Sequence, residues 1–436
     1  MKILKFGGTS IGSAQMMHKV ADIISDTAPK MVVLSAMKDT TDKLEEIAHY
    51  LYQNNNEGAH EQINKLERKY AGVIDELFRT DAYKEKGKAL VASHFEYIRS
   101  FTQKAFTLLQ EKGVLAQGEL ISTALFHYCL AEKGIASALL PALNFMRIDK
   151  SEEPDYFYIK ENMNRELEKC SNKNLFITQG YICRNAYGEI DNLKRGGSDY
   201  TASILGAVLE AEEIQIWTDV NGIRNNDPRL VEKTKSIDKL SFDEAAELAY
   251  FGASILHPSS VQPAKNASIP VRLKNTMQPD NTGTLITNET IGDEIKAIAA
   301  KDGITSIKIK SGRMLMAYGF LRKVFEIFEI YKTPIDMITT SEIAVSVTVD
   351  QSTYLKEVIN ELKKFGTVET ESGLTIVCIV GNLIAEKKGI AAKVFNALKD
   401  IPLQMISYGG SNHNISILIN TEHKKETLNT LNSKLF

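Results

Sequence analysis

The chain has 436 residues, 43% of them hydrophobic and 25% charged, a composition that suits a globular protein of about two to three domains. With 52 basic against 55 acidic side chains the net charge is -3, which excludes a general electrostatic attraction to nucleic acid or an anionic membrane and favours small substrates. No stretch reaches the roughly 20 apolar residues of a membrane span and residues 1–6 hold no apolar signal core, so a cytoplasmic protein is expected. The four cysteines, Cys129, Cys170, Cys183 and Cys378, are scattered without a CxxC pair or clustered histidines, which points to buried, reduced thiols and to no zinc site.

Residues 3–6 read as a short apolar strand running into Lys5-Phe6-Gly7-Gly8-Thr9-Ser10. Glycines between a strand and a helix let the backbone approach an anion, and the helix start offers unpaired N–H groups. The lysine precedes the glycines, so this is not a Walker A loop. Lys5 either aims its ammonium at a transferring phosphoryl group or decorates an ordinary strand-to-helix turn. Further apolar runs at 31–35, 175–180, 213–218 and 269–274 alternate with helical patterns, which indicates an α/β fold with a mostly parallel sheet covered on both faces. In such sheets ligands bind at the carboxyl ends of the strands, where both glycine stretches of the chain fall. Residues 43–112 are polar and helical in periodicity, a helical layer or lid beside the sheet. Glu119 follows Gly118 and precedes an apolar helix, and a first-turn glutamate favoured by the helix dipole is its plain reading.

The second glycine stretch, Arg195-Gly196-Gly197-Ser198-Asp199, feeds a helix over 200–209 and brings opposite charges to one loop. Asp199 can cap that helix, or it can orient a lysine or hold a magnesium ion, while an arginine fork suits a carboxylate or phosphate. Residues 217–229 leave a strand in a polar turn containing Asn221-Gly222 and Asp227-Pro228, a turn in any protein and a nucleotide loop only in company. After residue 284 the units shrink. Residues 303–310, 319–331, 335–338, 344–350, 354–364 and 366–370 read strand, helix, strand, strand, helix, strand, and 374–380, 389–398, 403–407, 414–419 and 424–435 repeat the order but stop on the helix. This is a tandem of ferredoxin-like units repeating at about 70 residues, with 295–299 supplying the strand the second one lacks.

Taken in this order, with Phe251-Gly252-Ala253-Ser254-Ile255-Leu256-His257-Pro258 following, these stretches resemble the aspartate kinases of the amino-acid kinase family over essentially the whole chain. The resemblance implies a carbamate kinase-like three-layer αβα sandwich over 1–290, then two ACT units at 294–371 and 372–436, with 294–300 completing the second. It implies transfer of the ATP γ-phosphate to the side-chain carboxylate of L-aspartate, the first step toward lysine, threonine and methionine, with Mg²⁺ held mainly by the nucleotide phosphates and water. Lys5 and Asp199 are then catalytic, with Gly7 and Gly8 at the transferring phosphate. Ser35, Thr41, Glu119, Arg195 and Ser198 surround the amino acid, and Thr218, Asp219, Arg224, Asp227, Arg229 and Ser254 join Lys5 and the glycines around the nucleotide. Two positions depart from the family: Ser254 stands where lysine is usual and Arg224 where tyrosine is common. A carboxylate near its reference pKa of ~3.9 is already ionised, so no general base is required and His257 reads as structural or as a helix C-cap.

The stretch 314–321 with 335–342 resembles the effector site of lysine-sensitive aspartate kinases. Met314, Gly319, Phe320, Leu321, Asp336, Thr340, Ser341 and Glu342 would hold L-lysine, Asp336 taking its ammonium; the plainer alternative is that the hydroxyls punctuate a strand-to-strand turn. Paired ACT units imply a homodimer, or a dimer of dimers. The rival readings are a kinase of another acidic amino acid such as glutamate and a catalytically silent ACT-type sensor. A fusion to homoserine dehydrogenase is not expected, since no GxGxxG fingerprint follows the ACT units.

Overall fold

The apolar runs become strands because each is buried on both faces. In the computed structural model, which describes residues 1–193, 196–252, 256–289, 295–311, 318–350 and 353–436, they are β1 (Lys2–Phe6), β2 (Lys30–Leu34), β3 (Ala138–Leu140), β4 (Leu175–Gln179), β5 (Glu213–Thr218), β6 (Val271–Asn275) and β7 (Thr284–Thr287). All five residues of β2 and of β4 are buried, the signature of a sheet covered by helices above and below. The order is β3-β4-β2-β1-β5-β6-β7, parallel throughout except for the last pair. The short strands β3 and β7 carry too few apolar residues to have stood out in the sequence. From β1 the chain moves to β2 on one side and later returns to β5 on the other, so β1 is the topological switch point and a ligand crevice is expected beyond its carboxyl end.

The polar segment does form a helical layer, Thr40–Tyr52, Asn56–Leu77 and Asp81–Arg99. With Ala14–Ile23 and Leu108–Glu132 it buries an apolar face against Leu4, Phe6, Val32, Leu34 and Ile177. The last of these helices corrects the reading of Glu119. A capping box between Thr107 and Gln110 starts it at Leu108, and because it is apolar nearly all round its interior is buried, so Glu119 lies in mid-helix. The helix Gly197–Val208 packs on β1, β2 and β5. The cysteines are unpaired, three of them buried and Cys170 half-buried. Among the described residues no helix is long and apolar enough to cross a membrane.

The C-terminal strands, β8 (Ala297–Lys310), β9 (Ile338–Thr340), β10 (Ala344–Val349), β11 (Thr367–Val380), β12 (Met405–Tyr408) and β13 (Asn414–Asn420), make one antiparallel sheet in the order β9-β10-β8-β11-β13-β12. The sequence divides 295–299 from 303–310 and 366–370 from 374–380, yet each pair is one 14-residue strand. Irregular register between Lys301 and Ser306 absorbs the interruption as a bulge. One strand thereby serves both repeats: Ala297–Lys301 pairs with the end of β11 and Ser306–Lys310 with its start. The helices Phe320–Ile330 and Leu355–Leu362 cover one half, Ile390–Ala397 and Lys424–Leu435 the other.

Contacts divide the chain into residues 1–223 with 256–288 and residues 224–255 with 289–436, so the compact units do not break at residue 290. The reason is polar burial that sequence pattern does not display. The Ile298 N–H donates to the Asn225 carbonyl at 2.8 Å and Asn226 Nδ2 to the Leu428 carbonyl at 3.2 Å. Lys296 Nζ lies 2.8 Å from Glu244 Oε2, with side chains 5% and 0% exposed, and Glu244 also closes a capping box with Ser241 at the start of the helix Phe242–Tyr250. Removing one member of a buried pair strands the other. Lys296→Met is expected to lower unfolding free energy by about 3–5 kcal/mol in urea titration, and Lys296→Met with Glu244→Gln to restore at least half of that loss.

Candidate active site

Where β1 ends, sheet hydrogen bonding carries on for one residue to both neighbours: the Ser35 N–H donates to the Phe6 carbonyl at 3.2 Å and the Gly7 N–H to that of Trp217 at 3.4 Å. The following turn presses against the loop after β2. A Cβ on Gly8 would stand 2.9 Å from the Ala36 carbonyl oxygen and 3.3 Å from the Lys38 nitrogen, so only glycine fits. On the second stretch Gly196, at φ +77°, is the N-cap of the helix Gly197–Val208. Asp199 is therefore a first-turn residue and not the cap. Its Oδ1 lies 2.7 Å from Lys5 Nζ, with side chains 14% and 12% exposed. That oxygen has no aligned hydrogen-bond donor, so the contact is an ion pair held by charge.

Glu119 completes the cluster. Its Oε1 accepts the Ala36 N–H at 3.0 Å, while Oε2 is buried without a partner. Burial pushes its carboxyl up to about 8, against the opposing pull of the Ala36 N–H and the Lys5 charge. A cavity of about 630 Å³ opens over these groups. It brings together Lys5, Gly8 and Asp199 with four of the residues expected around an amino acid, Ser35, Thr41, Glu119 and Ser198. Gly7 stands behind Lys5, a Cβ there being 3.4 Å from Nζ. Arg195, Ser254 and Met314 lie outside the described residues.

Of the residues expected at the nucleotide, Lys5 and Gly8 line this cavity, and Thr218 and Asp219 are not among its lining residues. Thr218 and Asp219 follow one another at the end of β5, the Thr218 hydroxyl donating to Asp219 Oδ1 at 3.1 Å. In the second unit Arg224 donates from Nε to the Thr234 hydroxyl and from Nη2 to its carbonyl, each at 2.6 Å. Arg229 forks onto Asp227, with Nη2 2.8 Å from Oδ2 and Nε 3.0 Å from Oδ1, and holds that carboxyl below the usual range. The cavity also gains residues that spacing did not single out: Asp39 and Tyr181, both at positive φ (64° and 67°), together with Lys112 and Asn192. Left-handed non-glycine residues gathered at one site mark backbone held there by its surroundings. His257, exposed, precedes a short 3-10 turn at Pro258–Val261 and hydrogen bonds Ser259, which corrects its reading as a helix C-cap.

In the second unit Gly319, at φ +82°, starts the helix Phe320–Ile330, with Phe320 buried and Leu321 exposed. Thr340 ends β9, and the Ser341 N–H closes the turn to β10 on the Ala344 carbonyl at 2.8 Å, with Glu342 exposed beside it. Asp336 is 2% exposed in its side chain; Oδ1 takes Lys301 Nζ at 2.7 Å and the Tyr250 hydroxyl at 3.0 Å, while Oδ2 is buried without a partner. Lys301 also reaches Asp350 Oδ2 at 2.8 Å.

Residues 1–275 match the amino acid kinase family and residues 377–435 an ACT domain family. The chain is 33% identical over 447 residues to lysine-sensitive aspartokinase 3 of Escherichia coli, covering 100% of this chain and 99% of that one. Crystal structures of E. coli aspartokinase III at 33% identity match it along 100% of its length: the complex with aspartate and ADP (R-state), covered over 100% of its own chain with TM-score 0.83, and the complex with lysine and aspartate (T-state), covered over 99% with TM-score 0.86.

The Glu119 carboxyl carries a sign that can be checked. Its folded pKa, near 8, lies above the ordinary glutamate value of 4.5, so the stability it confers is full below about pH 4.5 and is lost as pH rises through 8. Glu119→Gln, which keeps the acceptor for Ala36 without the charge, is expected to raise Tm by about 2–4 °C near pH 8.5 and to leave it unchanged near pH 4.5 in thermal melts.

Proposed function

The chain belongs to the amino acid kinase family and within it to the aspartokinases, and from that membership we propose how its residues carry the reaction and its regulation. The protein is an aspartate kinase, an enzyme that moves the γ-phosphate of ATP to the side-chain carboxylate of L-aspartate. A carboxylate oxygen attacks the γ-phosphorus as the bond to the ADP oxygen breaks, and no proton has to move. What remains is to align two anions and screen them from each other.

The observation that carries the assignment is the meeting of Lys5, Asp199 and the unpaired Glu119 oxygen in one cavity at the switch point. Lys5 neutralises the transferring phosphoryl group, with Asp199 holding its ammonium in place and the Gly7 and Gly8 backbone close by. Glu119 Oε2 takes the ammonium of aspartate, Arg195 its α-carboxylate, and Ser35, Thr41 and Ser198 ring the substrate. Thr218, Asp219, Arg224, Asp227, Arg229 and Ser254 serve the nucleotide. Mg²⁺ takes one or two carboxylates together with substrate phosphates; the cavity offers Asp199 beside Lys5, a donor set that fits an ion carried in by ATP.

L-lysine, present in the T-state complex of the E. coli enzyme, is the proposed inhibitor here. Its ammonium takes Asp336 Oδ2, which lacks a partner, while Oδ1 stays on Lys301 and Tyr250. Tyr250 ends the helix Phe242–Tyr250 and adjoins in sequence the 251–258 stretch, so a ligand on one carboxylate oxygen acts on that helix through the other. The edge strand β9, with Ile338 exposed, suits pairing with a second copy into a homodimer, from which a dimer of dimers can be built.

The test is ATP turnover with Mg²⁺ and L-aspartate, trapping the acyl phosphate with hydroxylamine. Aspartate-dependent hydroxamate suppressed by lysine is expected; hydroxamate with glutamate alone, or none from a folded ATP-binding protein, would overturn the assignment. Lys5→Ala is expected to lower kcat by about 10²–10³-fold with the fold intact. Asp336→Ala should abolish lysine inhibition with turnover preserved, and Tyr250→Phe should keep lysine binding but weaken inhibition about tenfold, a separation that calorimetry beside kinetics measures.

A further inference from the structure

We propose that Asn192 is a substrate-recognition residue that reads the α-amino-acid head group, its amide nitrogen donating to the α-carboxylate and its amide oxygen accepting from the ammonium. The proposal rests on the aspartate-binding reading of the cavity and adds a residue to it. Asn192 ends the hairpin Ile182–Arg184/Ile190–Asn192 opposite Ile182. Its backbone is held: its own N–H donates to Asp191 Oδ1 at 2.7 Å and the next N–H, of Leu193, to the Tyr181 carbonyl at 2.7 Å. Asp191 is held in turn by Lys112 at 3.0 Å. The residue is only 6% exposed and lines the cavity, yet neither Oδ1 nor Nδ2 has a hydrogen-bond partner.

An amide placed for structure would be satisfied, because each buried unpaired polar atom costs about 1–3 kcal/mol. Here both ends are unpaired, on a hydrogen-bonded backbone, in a residue that lines the cavity. The matching ligand must accept and donate within the span of one amide. A zwitterionic α-amino-acid head does so, with a carboxylate and an ammonium on one carbon. Glu119 Oε2 provides for the ammonium alone, so Asn192 adds the donor that Glu119 cannot supply. With the head group held there, the side-chain carboxylate is the end left for Lys5. Succinate, which lacks the ammonium, leaves Asn192 Oδ1 and Glu119 unpaired and is rejected for that reason.

Asn192→Leu keeps the side-chain size and removes both polar atoms. In the full-length enzyme it is expected to raise the KM for aspartate about 10–100-fold while kcat stays within about threefold and the KM for ATP is unchanged. The preference for aspartate over succinate in kcat/KM should shrink about tenfold or more, and Tm should hold or rise as unpaired polar groups leave the interior. Asn192→Asp, which keeps the acceptor but sets a negative charge against the α-carboxylate, should raise the aspartate KM further. An aspartate KM within about threefold of wild type in Asn192→Leu, or a KM for ATP that rises as much as that for aspartate, overturns the proposal. Failure of the wild type itself to form aspartate-dependent hydroxamate would overturn the aspartate reading beneath it, an outcome read before any variant is made.

Discussion

The ion pair between Lys5 and Asp199 is the contact on which the site depends. Each charge has been taken largely out of water, Lys5 as the penultimate residue of β1 and Asp199 in the first turn of the helix Gly197–Val208, and each is tolerated there only because of the other. The pair joins the chain's two glycine stretches, which lie far apart in sequence, and fixes where both helix starts stand relative to the carboxyl end of β1. The sheet order supplies the rest, since a crevice forms beside β1 only because the chain departs to β2 and comes back at β5.

Much of this was legible in the sequence, for identifiable reasons. Strands such as Lys30–Leu34 announce themselves as unbroken apolar runs because helices cover them on both faces. Glycine at positions 8, 196 and 197 marked the approaches to the cavity because a side chain is crowded or strained there: a Cβ would stand 2.9 Å from the Ala36 carbonyl oxygen at Gly8 and 2.6 Å from Tyr181 Cδ2 at Gly197, and Gly196 has φ +77°. What was not legible depended on long-range pairing. Nothing local distinguishes Glu119 in mid-helix from a first-turn glutamate, because the capping box that starts the helix lies upstream at Thr107. Likewise Asn192 is one polar residue in a hairpin, and Tyr181 declares itself only through a positive φ. The attachment of residues 224–255 to the C-terminal sheet was hidden because it runs through Lys296–Glu244 and asparagine–backbone bonds, which leave no periodicity.

The C-terminal sheet has its own logic. Two repeats that could have been separate bodies share β8 and β11, so both halves are built on common strands. Asp336 sits where that sheet meets the helix Phe242–Tyr250, its carboxylate divided between two internal partners and one unused oxygen. In the kinase domain Glu119 shows the same arrangement, one oxygen bound internally and the other withheld. In both places the fold leaves a buried acceptor incomplete, and in both the proposed partner is an amino-acid ammonium.

The unpaired Glu119 oxygen is the proposed seat of the substrate ammonium, and the rest of the site is arranged around it. With its carboxyl pushed up to about 8 by burial, Glu119 is mostly protonated at neutral pH and must ionise to pair with a cation. Calorimetric titration of L-aspartate near pH 7, in two buffers of different ionisation enthalpy, counts the protons exchanged. Release of close to one proton per aspartate bound, abolished in Glu119→Gln, is the predicted result. Binding with no buffer dependence in the wild type would contradict it.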